Sequence, residues 1–168
     1  MWCNDRLLPL WLALILSGAA HALPEDRNAP VEVEADQAEI DQAADRTVFT
    51  GRVQVVQGSF TLWADEVVIQ YRDGKPHEAV ATGRPARFRQ LPEKGKAWVK
   101  GRGRRIVYRF DQDEVTLIGD AELEQEQDRF RSDRIVYDRG AARLKAGAAA
   151  GGKARVKVII HPESQNRP

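Results

Sequence analysis

The 168-residue sequence has a single cysteine, Cys3, and only three histidines. A disulfide framework or a cysteine-based metal site is therefore excluded for the chain beyond this position. His77 and His161 each lie beside a proline, and neither has a partner at a metal-ligand spacing. The glycine-rich segment 101–105 lacks the spacing of a nucleotide-binding loop. The sequence thus predicts a protein that is not an enzyme and that holds no metal and no cofactor.

Long hydrophobic runs are equally scarce, and the one that stands out lies at the N-terminus. Residues 7–16 follow Arg6 and lead to a small-x-small site at Ala20 and Ala22, which is typical of a secretory signal peptide. A permanent membrane-spanning helix needs about 20 apolar residues, so an uncleaved anchor is the less favoured alternative. Three segments are expected: a cleaved signal peptide over 1–22, one exported domain over 23–162 and a disordered tail over 163–168.

Neither sign of charge is in excess, since the net charge is +1, but the charges occur in blocks. Residues 32–45 contain six acids and no base, 84–109 contain ten bases and one acid, and 111–133 contain nine acids and two bases. The basic block alone suggests nucleic acid, yet the acidic blocks around it would repel phosphate, so no nucleic-acid partner is predicted. Two interpretations remain open: a solvated strand face, and a contact with an anionic glycolipid or membrane headgroup.

An internal repeat organises the chain. A unit containing Asp36 recurs at Asp65 and Asp133, and a second unit begins at Gly51 and recurs at Gly119. The two halves of the domain are near-copies offset by 68 residues. Each glycine suits a strand that bends sharply, and each aspartate suits a bond to a nearby backbone amide at the same corner; a simple turn or bulge explains both equally well.

Within each unit apolar and polar residues alternate, which is the period of a β-strand and not of a helix. Turn signals separate the units, the strongest being Asp73-Gly74. About 14 to 16 short strands are expected, each with one buried face. The predicted fold is all-β, with stacked short antiparallel strands folded into a V-shaped or jelly-roll pair of sheets that has a narrow apolar interior and open ends.

The apolar interior is either a packed core or a slot for an apolar ligand, and packed core is the default. The open ends have unpaired backbone groups, which recruit other strands. Residues 155–160 alternate charged and apolar side chains and form such an edge. End-to-end self-association is therefore favoured over a capped monomer.

The chain resembles the LptA family of periplasmic lipopolysaccharide-transport proteins of Gram-negative bacteria, with its OstA-like domain. Likeness covers essentially all of residues 30–162. It is carried by APVEVEADQAEID, VFTGRVQVVQG, LWADEVVIQY, ATGRPARFRQ, VTLIGDAELEQ and SDRIVYD. The chain departs from the family's usual pattern in the basic stretch 94–105 and at Arg104, where other units have aspartate, which puts the corner there in doubt.

The resemblance implies a twisted β-jelly roll, no catalytic activity, and a periplasmic protein that bridges the inner and outer membranes. Lipopolysaccharide would be held by its lipid A acyl chains in the apolar groove. LptC would meet the first strand, and LptD or another copy would meet the last. LptC and the N-terminal part of LptD share the fold, but a cleavable leader and the lack of a long barrel favour the LptA branch. The rival interpretation is an exported adaptor with a dry core that acts only through its edges.

Two sets of site residues follow from the resemblance and the alternation. The lipid-binding set is Val31, Val33, Val53, Val55, Leu62, Val67, Ile69, Phe88, Ile106, Tyr108, Phe110, Leu117 and Leu123. The partner-interface set is Val31, Val33, Arg155, Val156, Val158 and Ile160.

Overall fold

A computed structural model describes residues 26, 29–92, 95–141 and 143–161 of the chain. The predicted signal peptide and C-terminal tail lie outside these residues, so both remain predictions. Within the described part, ten antiparallel strands form one continuous sheet. The strands are β1 (Glu32–Glu34), β2 (Gln37–Asp41), β3 (Arg46–Gln57), β4 (Phe60–Arg72), β5 (Lys75–Gln90), β6 (Val99–Arg109), β7 (Glu114–Gln125), β8 (Asp128–Asp138), β9 (Arg143–Ala146) and β10 (Lys157–Ile159).

Each of the six central strands is interrupted near its middle by a break in register. The breaks follow Thr50, Trp63, Thr82, Arg102 and Ile118 in successive strand pairs. Because the breaks lie side by side, they divide the sheet into two half-sheets along one line. β1 and β10 are confined to one half-sheet, and β2 and β9 to the other.

Each half-sheet has eight segments. Half-sheet A consists of residues 32–34, 53–57, 60–64, 86–90, 99–103, 121–125, 128–132 and 157–159. Half-sheet B consists of residues 37–41, 46–50, 66–72, 75–82, 105–109, 114–118, 134–138 and 143–146. The short strands expected from the sequence are these sixteen segments, most of them joined in pairs into longer strands that bend.

The glycines of the repeat occupy the bends. Gly51 has φ 82° and is followed by Arg52 at φ 46°, while Gly119 has φ 75° and is followed by Asp120 at φ 52°. At both bends two successive residues have left-handed backbone, a conformation that glycine adopts at the least cost and that occurs in some β-bulges. The corner and the bulge, left as alternatives by the sequence, are the same feature. The hairpin predicted at Asp73-Gly74 is present between β4 and β5.

Ion pairs join neighbouring strands along the bend line. Asp36 pairs with Arg52 at 2.5 Å, and its hydrogen bond from this arginine holds the pKa of the Asp36 carboxyl below its usual value. Arg104 pairs with Asp120 at 3.4 Å. Arg104 occupies the position that is aspartate in the other units. Asp120, which follows Gly119, occupies the position of Arg52, which follows Gly51. The doubt about this corner is resolved, since the two charges are exchanged together and the bend is kept.

The predicted bond from the corner aspartate to a backbone amide occurs at one of the three repeats. Asp133 accepts a hydrogen bond from the backbone N–H of Lys153 at 2.7 Å. Asp36 and Asp65 instead contact the arginine of the adjacent bend, Arg52 and Arg84 respectively. The segment beside Asp133 is Gly152-Lys153, which offers a backbone N–H to the carboxylate.

The two half-sheets face one another across a single core. Apolar side chains of both half-sheets alternate inward along the strands and form one cluster. Its largest fully buried side chains are Leu117, Leu123, Ile135, Val53 and Val99. Among the described residues, no helix is long and apolar enough to span a membrane.

Both ends of the sheet are exposed. β1 and β2 pair only with β3, and β9 and β10 pair only with β8. Near the first end Ile40 is 72% exposed, and near the second Ile160 is 51% exposed. In the described part of the chain, each end therefore presents apolar side chains next to strands with one free edge.

Candidate functional site

An apolar cavity lies between the half-sheets, towards the end formed by β1 and β2. Its volume is about 100 Å³, and it is partly open to solvent. Almost every lining group is a hydrocarbon or aromatic side chain. The lining residues are Val31, Val55, Gln57, Phe60, Leu62, Val67, Ile69, Ala79, Ala81, Phe88, Ile106, Tyr108, Phe110, Val115 and Arg139.

The cavity exists because large and small side chains meet across the strands. In half-sheet B, Ala79 of β5 stands opposite Ile69 of β4 on one side and Tyr108 of β6 on the other. Ala81 has the same position between Val67 and Ile106. The short alanines leave a channel between the taller flanking side chains, whereas a row of leucines would close it.

Phe88 forms the opposite wall, in half-sheet A. It is 2% exposed and stacks against Phe60, with ring centroids 5.8 Å apart. Its ring covers Gly101, its cross-strand partner, where an added Cβ would collide with the ring. Gly101 is thus required by close approach, and it lets Phe88 lie flat along the wall.

The rim of the cavity carries aromatic and polar groups. Phe110 is 39% exposed and packs against Tyr108, with ring centroids 4.7 Å apart. The Tyr108 hydroxyl donates a hydrogen bond to Asp113 at 2.9 Å. Arg139 lies over the Tyr108 ring and pairs with the same carboxylate at 3.5 Å. An amphiphile could therefore place its apolar part inside and its polar part at this rim.

The structure brings together nine of the thirteen predicted lipid-binding residues on the cavity wall. Val33 lies beside them at the edge of the core. Val53, Leu117 and Leu123 are at most 2% exposed within the closed core and do not line the space. The nine on the wall are Val31, Val55, Leu62, Val67, Ile69, Phe88, Ile106, Tyr108 and Phe110. Lipid contact remains a prediction for the set.

Six further lining residues were not identified from the sequence, and one of them, Gln57, lies next to a turn. Alternation in β5 would have placed Ala79 and Ala81 on the inner face, but alanine gives no signal of a cavity. Phe60 directly follows a turn, and Val115 differs from the selected valines only in position. Arg139 lies in a turn, and no sequence pattern predicts that a turn residue borders the cavity.

The predicted partner-interface residues lie at the two ends of half-sheet A. Val31 directly precedes β1 and is 56% exposed, whereas Val33 is half-buried. The other four flank or belong to β10, and all are exposed. They are Arg155, Val156, Val158 and Ile160. Their role in contacts with other proteins remains a prediction.

A charged cluster covers the outer face of half-sheet A. The buried carboxylate of Glu122 lies 2.6 Å from Arg102, 2.8 Å from Arg131 and 3.1 Å from Arg129. Burial alone would raise the pKa of Glu122, but hydrogen bonds from Arg102 and Arg131 and the charges of these arginines outweigh it. The pKa of Glu122 is consequently lowered from its usual value of 4.5.

Glu122→Gln should destabilise the protein in a pH-dependent way. The variant leaves three arginines crowded without their shared carboxylate, and we expect a loss of about 1–2 kcal/mol at pH 7, less than for a fully buried pair because the arginines are partly solvated. The folded-state pKa is lowered, so the contribution of Glu122 is present above the unfolded value and is lost as pH falls through the folded value. Urea unfolding at pH 7 and pH 3 measures this. A difference from wild type as large at pH 3 as at pH 7 would contradict the assignment.

In the described ranges, no group of three or more His, Cys, Asp or Glu is placed to hold a metal ion.

The fold and the cavity define a class of protein: an all-β jelly roll whose sheet bends over an open apolar groove. Comparison with known proteins identifies the class. The family described as LptA/(LptD N-terminal domain) LPS transport protein matches residues 32–143, and the chain belongs to this family.

Similar proteins agree with this assignment over most of their length. Lipopolysaccharide export system protein LptH of Pseudomonas aeruginosa is 35% identical over 159 residues, which cover 91% of each chain. Lipopolysaccharide export system protein LptA of Escherichia coli K12 is 32% identical over 164 residues, or 95% of this chain and 87% of the relative. The crystal structure of LptH, described as a periplasmic component of the lipopolysaccharide transport device, superposes with a TM-score of 0.77 at 33% identity, covering 83% of this chain and all of the other.

These relatives confirm the predicted family, the β-jelly-roll fold and the role in lipopolysaccharide transport. Their names describe transport and not catalysis. The prediction that this chain catalyses no reaction remains a prediction.

Proposed function

We propose that the groove holds the lipid A acyl chains of lipopolysaccharide while the polar headgroup stays at the rim. The supporting observation is the continuous apolar wall that both half-sheets contribute, open beside Val31 and bordered by Tyr108, Phe110 and Arg139. Alternation in each strand supplies the apolar wall, and the alanines of β5 supply the space.

The energetics favour acyl chains as the occupant. Each buried methylene contributes about 0.8 kcal/mol, so ten methylenes give about 8 kcal/mol before the cost of ordering the chain. A saccharide has no comparable gain in an apolar groove, because its hydroxyls would lose hydrogen bonds to water. Binding should therefore depend on the acyl chains.

A comparison of two ligands tests this proposal. Isothermal titration with intact lipopolysaccharide and with its fully deacylated saccharide should show binding of the intact lipid alone. If neither binds to folded protein, the dry-core adaptor is the better account. If both bind equally, the headgroup and not the groove determines recognition.

We propose further that the protein acts in the periplasm after removal of residues 1–22, as one domain over 23–162, and bridges the inner-membrane and outer-membrane transport complexes. The end formed by β1 and β2 would meet LptC, and the end formed by β9 and β10 would meet LptD or another copy. The exposed apolar residues beside both free edges support this assignment, since sheet edges recruit strands. Joining unlike ends of successive copies is a head-to-tail contact, which produces chains of molecules.

Charges at the β10 edge should prevent self-association. The double variant Val158→Asp with Ile160→Asp replaces two exposed apolar side chains, so folding should be kept while the edge repels an incoming strand. Sedimentation velocity over a range of concentrations should show oligomers for wild type and monomers for the variant. Lys75→Asp, in the exposed β4–β5 turn region, is the control and should associate like wild type. Unchanged association of the double variant would rule out this edge.

A further inference from the structure

The outer face of half-sheet A carries a two-by-two array of cations. Arg87 of β5 stands directly opposite Arg102 of β6, and Arg89 stands directly opposite Lys100. All four residues are exposed. Neighbouring strands are about 4.8 Å apart and alternate residues about 7 Å apart, so the four charges share a small patch. We call these four residues the cation array.

Ion pairs within the chain neutralise only part of the cation array, although Lys100 and Arg102 stand opposite Glu124 and Glu122 of β7. Arg102 pairs with Glu122, but Arg87, Arg89 and Lys100 have no carboxylate within ion-pair distance among the described residues. Like charges directly opposite on adjacent strands destabilise a sheet. Over the surrounding shallow concavity there are six basic and two acidic residues, a net charge of +4, against +1 for the whole chain.

Two tryptophans accompany the cations. The guanidinium of Arg89 lies 5.5 Å from the Trp63 ring and 5.2 Å from the Trp98 ring, and that of Arg87 lies 5.1 Å from Trp63. Trp98 is also 41% exposed. Tryptophan and arginine side chains together are typical of surfaces that sit at the headgroup level of a membrane.

We propose that the cation array docks the protein onto an anionic lipid surface by contacting the phosphates of several headgroups. Charge complementarity argues for an anion, and the spread of the charges in two dimensions argues for a surface with many phosphates and not for one phosphate group. The array lies on the opposite side of the sheet from the groove, since Phe88, between Arg87 and Arg89, points inward. The inference is therefore independent of acyl-chain binding.

Vesicle co-sedimentation tests the proposal. Wild type should bind vesicles of phosphatidylglycerol and phosphatidylcholine, should not bind pure phosphatidylcholine, and should bind less as salt is raised. Arg87→Gln with Lys100→Gln should lower the partition constant about 25-fold, at roughly fivefold per cation. The control, Lys75→Gln with Lys145→Gln, removes two exposed lysines from half-sheet B and should stay within twofold of wild type.

Two results would overturn the proposal. The first is equal vesicle binding by the array variant and wild type. The second is binding of a DNA duplex as tight as that of the anionic vesicles at the same salt, which would indicate a general polyanion site. The melting temperature checks that the array variant is folded; the variant loses repulsion but also the contact of Arg87 with the Trp63 ring, so the change should be small. If the array variant still binds lipopolysaccharide, its loss of vesicle binding concerns the cation array and not the groove.

Discussion

Phe88→Asp is expected to abolish lipopolysaccharide binding. The ring forms the wall of the groove, is 2% exposed and stacks on Phe60. A carboxylate there would have to lose its water when an acyl chain enters, and an unpaired buried charge costs several kcal/mol. That cost is comparable to the gain from several buried methylenes, at about 0.8 kcal/mol each. Titration of lipopolysaccharide into the variant should give no detectable binding.

Two companion variants separate binding from folding. Phe88→Leu keeps an apolar wall and should bind lipopolysaccharide with a modest loss. Phe110→Asp introduces the same charge at the rim, where 39% exposure allows the folded state to solvate it, and should weaken binding in a protein of near wild-type stability. Wild-type affinity in folded Phe88→Asp would show that acyl chains do not contact this wall.

Leu117→Ala is expected to cost the largest amount of stability of any single truncation proposed for this protein, about 3–4 kcal/mol. Leu117 has no exposed surface and packs in the closed core between β6 and β8, against Ile106 and Ile135 across the strands. Removal of three carbons loses their transfer free energy and leaves a cavity that the surrounding sheet cannot close. Urea unfolding followed by circular dichroism measures the change.

The control truncation is Ile160→Ala, at a side chain that is 51% exposed, with an expected cost below about 0.5 kcal/mol. Leu117 lies outside the groove wall, so lipopolysaccharide affinity per folded molecule should be unchanged in Leu117→Ala. A cost under about 1 kcal/mol would show that this part of the interior is loosely packed. Together with Phe88→Asp, the variant distinguishes the residues that hold the fold from those that form the groove.

Much of the fold could be predicted because it depends on local signals. Alternation identified the strands, and glycines at Gly51 and Gly119 marked the bends, since left-handed backbone strongly favours glycine. Whether a bend separates two strands or interrupts one could not be predicted. A bulge keeps the chain running in the same direction, so the segments on either side of Gly119 continue as β7.

The groove was harder to predict than the core. Alternation shows which side chains point inward, but not whether they meet. Val53 and Leu117 have the same sequence pattern as Val55 and Val67, yet the first two are enclosed and the last two line the cavity. The difference arises from what lies opposite each residue.

Long-range pairing also decides the meaning of the charges. The exchange of Arg104 and Asp120 is visible as two separate departures in sequence, and only the register of β6 with β7 shows that they compensate. The register of β5 with β6 likewise brings Arg87 opposite Arg102. Composition could identify a run of basic residues along the sequence, but not which of them lie together on one face of the sheet.

Photo-crosslinking tests the internal lipid path most directly. A photoreactive phenylalanine derivative fits best at Phe110, which lines the cavity and is partly exposed, because a larger group at the tightly packed Phe88 would disturb the wall. Exposed Asp73, in the β4–β5 turn, is the control position. In the exported protein, we expect a lipopolysaccharide adduct at position 110 and none at position 73. No adduct at position 110 in folded protein, or equal adducts at both positions, would contradict the account.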